Sequence, residues 1–191
     1  MNVVRVIGAS FARDGAEIVA PFDLALAAGE SAVLAQPTAL AAAVAARMCA
    51  AIVKPTTGVV YVGDYETRLQ PPQAKRLVGF VDGAGFEGDP HAFRCETAFR
   101  ADVWGLDARA AQARAERVLA ALGRGDAEHE RYARAVALAL VAEITVLVLD
   151  RPSRRIVDAV RALAPEPALV ATRVGTARVR VARAAREPAA T

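Results

Sequence analysis

An aspartate closes a purely apolar run at Val146-Leu147-Val148-Leu149-Asp150. A polar step, Gln36-Pro37-Thr38, separates the apolar run ending at Ala35 from a long alanine tract. An aspartate at a strand end can simply bond a nearby loop. The second pattern has the outline of a phosphate-binding unit, in which a loop opening a helix wraps phosphates in backbone N–H groups. The loop that does this reads G-x-x-x-x-G-K-[ST]. Here the same positions hold Gln36-Pro37-Thr38-Ala39-Leu40-Ala41-Ala42-Ala43. Ala42 stands where the lysine belongs and Ala43 where the metal-binding hydroxyl belongs. The methyls of Ala39 and Ala41 crowd the approach that glycines keep open. Each lost charge-assisted hydrogen bond costs about 1.5–3 kcal/mol. The helix N-terminus at Thr38–Leu40 still favours an anion by about 0.3–1 kcal/mol. The expectation is no useful ATP binding, with at most a phosphate contact of about millimolar strength.

Other reactive side chains are sparse. His91 and His129 are isolated and are expected to be structural. Cys49 and Cys95 form no C-x-x-C pair, which suits a reducing cytoplasm and argues against a metal site. The formal net charge of +3 is too small and dispersed for nucleic-acid binding. One basic cluster, Arg173 to Arg186, reads as a solvated strand and tail, with anionic lipid headgroups as the alternative contact. No secretory signal is visible at Met1, and no apolar run is long enough to span a membrane.

These residues need elements to hold them. The 191 residues are 54% hydrophobic and 24% charged, which fits about one globular domain. Val3–Ile7 and Phe22–Leu26 read as strands, and Ser31–Ala35 as a short buried strand. Thr38 caps a helix from Ala39 to about Ile52, stopped by Lys54-Pro55. Val59–Val62 and Leu77–Val81 read as strands, Gln70-Pro71-Pro72 as a break, and Asp82–Phe93 as irregular chain. Asp107 caps an amphipathic helix that Gly123 ends; a second helix spans about Ala127–Glu143. Thr145–Leu149 fits a central parallel strand. Ser153 caps the next helix, followed by strands at Ala168–Ala171 and Val179–Val181. The order predicts one α/β domain over 1–185, with a helical insert at about 84–127 and a loose tail at 186–191.

Together these pieces resemble the nucleotide-binding domain of the ATP-binding-cassette (ABC) transporter family. Gly29-Glu30 resembles that family's turn into the P-loop strand, and the spacing to Pro55-Thr56-Thr57-Gly58 matches without a gap. Leu77–Val81 resembles the strand leading to the glutamine loop, and Trp104-Gly105-Leu106 with the helix to Gly123 resembles the helical subdomain. Val146–Asp150 followed by Pro152 resembles a Walker B strand. The resemblance implies a P-loop NTPase-like core, an N-terminal antiparallel β portion and a small helical subdomain. The departures fall at its chemical positions. Gly83 replaces the glutamine, and Asp126-Ala127-Glu128-His129-Glu130 replaces the signature LSGGQ. Arg151 replaces the catalytic glutamate, Val157 an aspartate, and Arg173 the switch histidine. Only Asp150 matches, and no aromatic is placed to stack on adenine.

The resemblance therefore implies a catalytically inactive cassette-like subunit, structural or regulatory, in a membrane-transport complex. No cofactor is expected, neither ATP nor magnesium. Implied partners are an integral membrane transporter subunit, a competent ABC ATPase subunit, or a second copy, at the inner face of the cell membrane. Phe86, Phe93 and Trp104 are candidates to line a docking groove between the sheet core and the helical insert, with the core as the alternative place for all three. Two alternatives stay open. One is a stand-alone scaffold on the same fold. The other is an ATPase in which Arg151 or Arg173 replaces the missing lysine.

Overall fold

The computed structural model of the chain describes residues 2–176 and 178–182. The expected tail at 186–191 lies outside the described residues. The first two strands, β1 (Asn2–Arg13) and β2 (Ala16–Ala27), form one long antiparallel hairpin. They run well beyond the expected segments because Asp14-Gly15 is its tight turn. Both residues have positive φ, 52° and 78°, as a two-residue hairpin turn requires. β4 (Thr57–Val62) pairs with β1, and β5 (Tyr65–Glu66) with β4, giving a four-stranded sheet of order β2-β1-β4-β5.

The second sheet has the order β6-β7-β8-β3-β9. Its parallel members are β3 (Ser31–Gln36), β6 (Val78–Val81), β7 (Val146–Leu149) and β8 (Ala168–Val174). β9 (Arg178–Ala182) runs antiparallel to β3 at the edge. Every residue of β7 is buried, as an uninterrupted apolar strand demands when both faces are covered. Val146 and Val148 point into one core, Leu147 and Leu149 into the other.

The first core lies between the two sheets and is filled by α1 (Ala39–Cys49). Seven of its eleven residues are buried, more than one face of a helix supplies. Alanine makes this possible, because its small side chain lets backbone approach both sheets. The second core lies under α3 (Pro90–Val103), α4 (Ala108–Leu122), α5 (Ala127–Ala139) and α6 (Arg154–Leu163). Asp89, Asp107, Asp126 and Ser153 each cap one of these helices through a side-chain oxygen.

Two expectations are corrected, both at prolines. Gln70-Pro71-Pro72 is not a break: Pro71 opens the short helix α2 (Pro71–Arg76). Asp82–Phe93 is irregular only as far as Asp89, because Pro90 opens α3. At the first helical position proline lacks an N–H that would be unpaired anyway, and its fixed φ suits the helix.

Candidate functional site

The parallel strands all end on one edge of their sheet, where open α/β sheets bind ligands. That edge holds Gln36 from β3, Asp82 and Gly83 after β6, Asp150 and Arg151 after β7, and Thr172 and Arg173 from β8.

Asp150 is buried, and it is the hub of this edge. Its backbone N–H donates to the Val81 carbonyl at 2.9 Å, and its own carbonyl accepts from the Tyr132 hydroxyl at 3.0 Å. The Thr172 hydroxyl donates to Asp150 Oδ1 at 3.0 Å. Arg151 then folds back on its neighbour. Its Nε lies 3.3 Å from Oδ1 and its Nη2 3.4 Å from Oδ2, a two-pronged contact. The backbone makes this possible by adopting φ 51° at Arg151, a left-handed conformation that costs a side-chain-bearing residue about 1–2 kcal/mol. The Arg151 N–H donates to Thr172 Oγ1 at 3.2 Å and holds the turn. Burial raises the Tyr132 phenol well above its ordinary pKa, and the carboxylates of Asp150 and Asp82 push it the same way. Tyr132 is therefore a fixed hydrogen-bond donor and not an acid–base group near neutrality.

The strand–helix connection at β3 is short. A phosphate-binding unit places G-x-x-x-x-G-K-[ST] between its strand and its helix. Here β3 ends at Gln36 and α1 begins at Ala39, leaving only Pro37 and Thr38 between them. Thr38 satisfies the helix from within: its Oγ1 accepts from the Ala41 N–H at 3.0 Å and its carbonyl from the Ala42 N–H at 3.0 Å. Ala42 is fully buried, Ala43 half-buried, and Gln36 buried at the strand end. Arg173 is exposed, paired in register with Ala35.

At α5 the segment Asp126–Glu130 opens the helix. Asp126 accepts from the His129 N–H at 2.8 Å, and Glu128 and Glu130 occupy the first turn. Three carboxylates at a helix N-terminus make it hostile to a phosphate. The His129 ring lies 3.3 Å from the Leu122 and Gly123 carbonyls, so it ties α5 to the end of α4. His91 sits one turn from Cys95, Nε2 to Sγ 3.7 Å. A cleft of about 380 Å³ separates this segment from Arg151 and Arg155.

The expected docking aromatics divide. Phe93 is buried and belongs to the second core, which corrects its assignment to a groove surface. Phe86 is half-buried and meets it edge-on, ring centroids 6.0 Å apart at 72°. Trp104 is exposed at the end of α3, with Phe99, Val103 and Leu106 exposed nearby. Phe99 and Val103 escaped the sequence reading. Their signal is a second apolar stripe of helical spacing, Cys95-Phe99-Val103, opposite the inward stripe Phe93-Thr97-Ala101.

No protein-family model and no curated protein matches this sequence. Solved structures do match its fold. An ATP-binding subunit of an ABC transporter superposes with a TM-score of 0.68 at 12% identity, covering 89% of this chain and 79% of its own. CbiO1 from Clostridium perfringens, part of the ABC transporter complex CbiONQ, gives 0.64 at 16%, covering 90% and 78%. A bacterial Atm1-family ABC exporter with ATP bound gives 0.65 at 15%; the match covers 90% of this chain but 34% of the exporter chain. The molecule therefore has the P-loop NTPase-like fold of the ABC ATP-binding cassettes, with a residue set of its own at the strand edge.

Proposed function

We propose that this chain is a non-catalytic, cassette-like subunit that serves as a structural or regulatory partner in a membrane-transport complex. One observation carries the proposal. A guanidinium already lies against Asp150, while the connection that would cradle phosphates is reduced to Pro37 and Thr38. The residues present do not fit a magnesium nucleotide. The metal-side carboxylate has a cation partner from its own chain, Ala42 stands at the lysine position, and the acidic start of α5 repels phosphate.

The fold supports the transport setting, since the similar solved chains are transporter ATP-binding subunits. The partner would be an integral membrane subunit, a competent ATPase subunit or both, at the inner face of the membrane. Among the described residues no helix is long and apolar enough to cross a membrane, so such a chain would be held there by contacts. The exposed cluster Phe99, Val103, Trp104 and Leu106 offers aromatic anchors for one.

Calorimetry with ATP and magnesium tests the first half. No saturable heat is expected up to about millimolar nucleotide, and a micromolar dissociation constant overturns the reading. A pull-down from the native membrane fraction tests the second. A multi-span transporter subunit or intact ATPase should co-purify, and recovery of the chain alone would favour the scaffold alternative.

A further inference from the structure

We infer that the Arg151 guanidinium is the resident cation of the Asp150 carboxylate, and that Gly83 is the seat that admits it. This deepens the non-catalytic reading and rests on it for the identity of what is displaced, a hard divalent cation at a strand-end aspartate.

Two observations at separate places in the sequence meet here. First, Arg151 adopts a strained left-handed φ of 51°, and that turn brings Nε and Nη2 within 3.3 and 3.4 Å of the two Asp150 oxygens. Second, Gly83 has no positive φ, so its backbone gives no reason for glycine. Space does. A Cβ at position 83 would overlap Arg151 Nη2, and would stand 3.1 Å from Cζ and 3.2 Å from Asp150 Oδ2. The first two are the far end of a flexible side chain. A methyl at 83 would therefore lift the guanidinium off the carboxylate and leave the sheet intact. Register places the two residues together: β6 and β7 pair Val81 with Leu149, so the chains leaving both strands rise side by side.

Without the guanidinium, the Asp150 carboxylate and the Thr172 hydroxyl are left as neighbouring hard oxygens. That is ligand chemistry for magnesium or manganese, held weakly and mostly through water. The latent metal site is closed by two residues of the chain itself.

The test uses Mn²⁺ alone on the full chain. Amide signals of residues 82–84 and 150–151 are followed by NMR for paramagnetic broadening. Wild type should show no localised broadening at about 1 mM Mn²⁺. Arg151→Gly keeps the left-handed turn without strain. It should broaden these signals at a concentration about tenfold or more below any wild-type effect. Adding Asp150→Asn should abolish the gain. Gly83→Ala, a gentler route to the same end, should give an intermediate gain and should add nothing in the Arg151→Gly background. Wild type that takes Mn²⁺ at these residues as well as Arg151→Gly does would overturn the inference. So would a folded Gly83→Ala chain that keeps Arg151 on Asp150. The two readings fail separately. Micromolar Mg-ATP binding by wild type sinks the non-catalytic reading, while Mn²⁺ uptake by wild type without ATP binding sinks only this one.

Discussion

The ends of β3 and β7 reach the same edge of one sheet, and their residues depart from a phosphate-binding edge in opposite ways. At β7 the carboxylate survives, and a cation from the next residue answers it. At β3 the connection is short: two residues link strand to helix, and Ala41, Ala45 and Ala46 of the tract that follows are packed into a core. A charge can be unmasked by one substitution. A loop shortened to two residues cannot be recovered by one, because the Ala41 and Ala42 N–H groups are already bonded to Thr38. The β7 end is therefore latent, and the β3 end is structurally committed.

The sharpest way to break this contrast is to give β3 its lysine back. Ala42→Lys would put an ammonium at a position with no exposed surface. An unpaired buried charge costs on the order of 3–5 kcal/mol, or drives the lysine to lose its proton. We expect a large fall in the denaturant midpoint and no ATP binding. A variant that stays within about 1 kcal/mol of wild type and binds ATP would mean that the strand–helix connection still opens, and the contrast would collapse.

The same contrast separates what was legible in the sequence from what was not. The uninterrupted run Val146–Leu149 announced a strand buried on both faces, and it is one. The alanine tract announced α1, and Thr38 announced its cap. The prolines misled at Pro71 and Pro90, because proline ends a helix from inside but starts one from its first position. At the site, the reversed charge at Arg151 could be read directly. Its place against Asp150 could not, since it depends on a left-handed backbone and on a glycine remote in sequence. The Phe99–Val103 stripe was hidden for a related reason. Arg100 and Asp102 interrupt it along the chain, and only the helical turn gathers it on one face.

A second test probes how tightly α1 seals the β3 side. Cys49 ends that helix, fully buried, and desolvation pushes its thiol from 9.0 up to about 12. The sign follows from proton counting. Above pH 9 the unfolded chain loses this proton while the folded chain keeps it, so the unfolded state is favoured as pH rises. Stability from this group is complete below the unfolded pKa and falls by up to about 1.4 kcal/mol per pH unit between the two values. Tyr132, also raised, adds a slope of the same sign at higher pH. Between pH 8 and 10 the unfolding free energy of wild type should fall by about 1.4 kcal/mol more in total than that of Cys49→Ala, because the unfolded thiol loses its proton only around pH 9.0. Equal slopes would mean that water reaches the end of α1. A thiol reagent gives a cross-check: exposed Cys95 should react at once and Cys49 only on unfolding.

The smallest effect lies at the connection itself. Thr38 Oγ1 accepts from the Ala41 N–H, a bond that a phosphate-binding loop would leave for its ligand. Thr38→Ala should therefore cost about 1 kcal/mol, the usual loss of an N-cap, and shift the melting temperature by a few degrees. It should also leave inorganic phosphate binding undetectable. Freeing one N–H restores neither the loop nor a positive charge, so the helix start at Ala39 and Leu40 keeps only its weak pull on an anion. A Thr38→Ala chain that gained phosphate affinity without losing stability would show the opposite of a committed helix turn. The cap would then be a plug in a working cradle, and β3 would be as latent as β7.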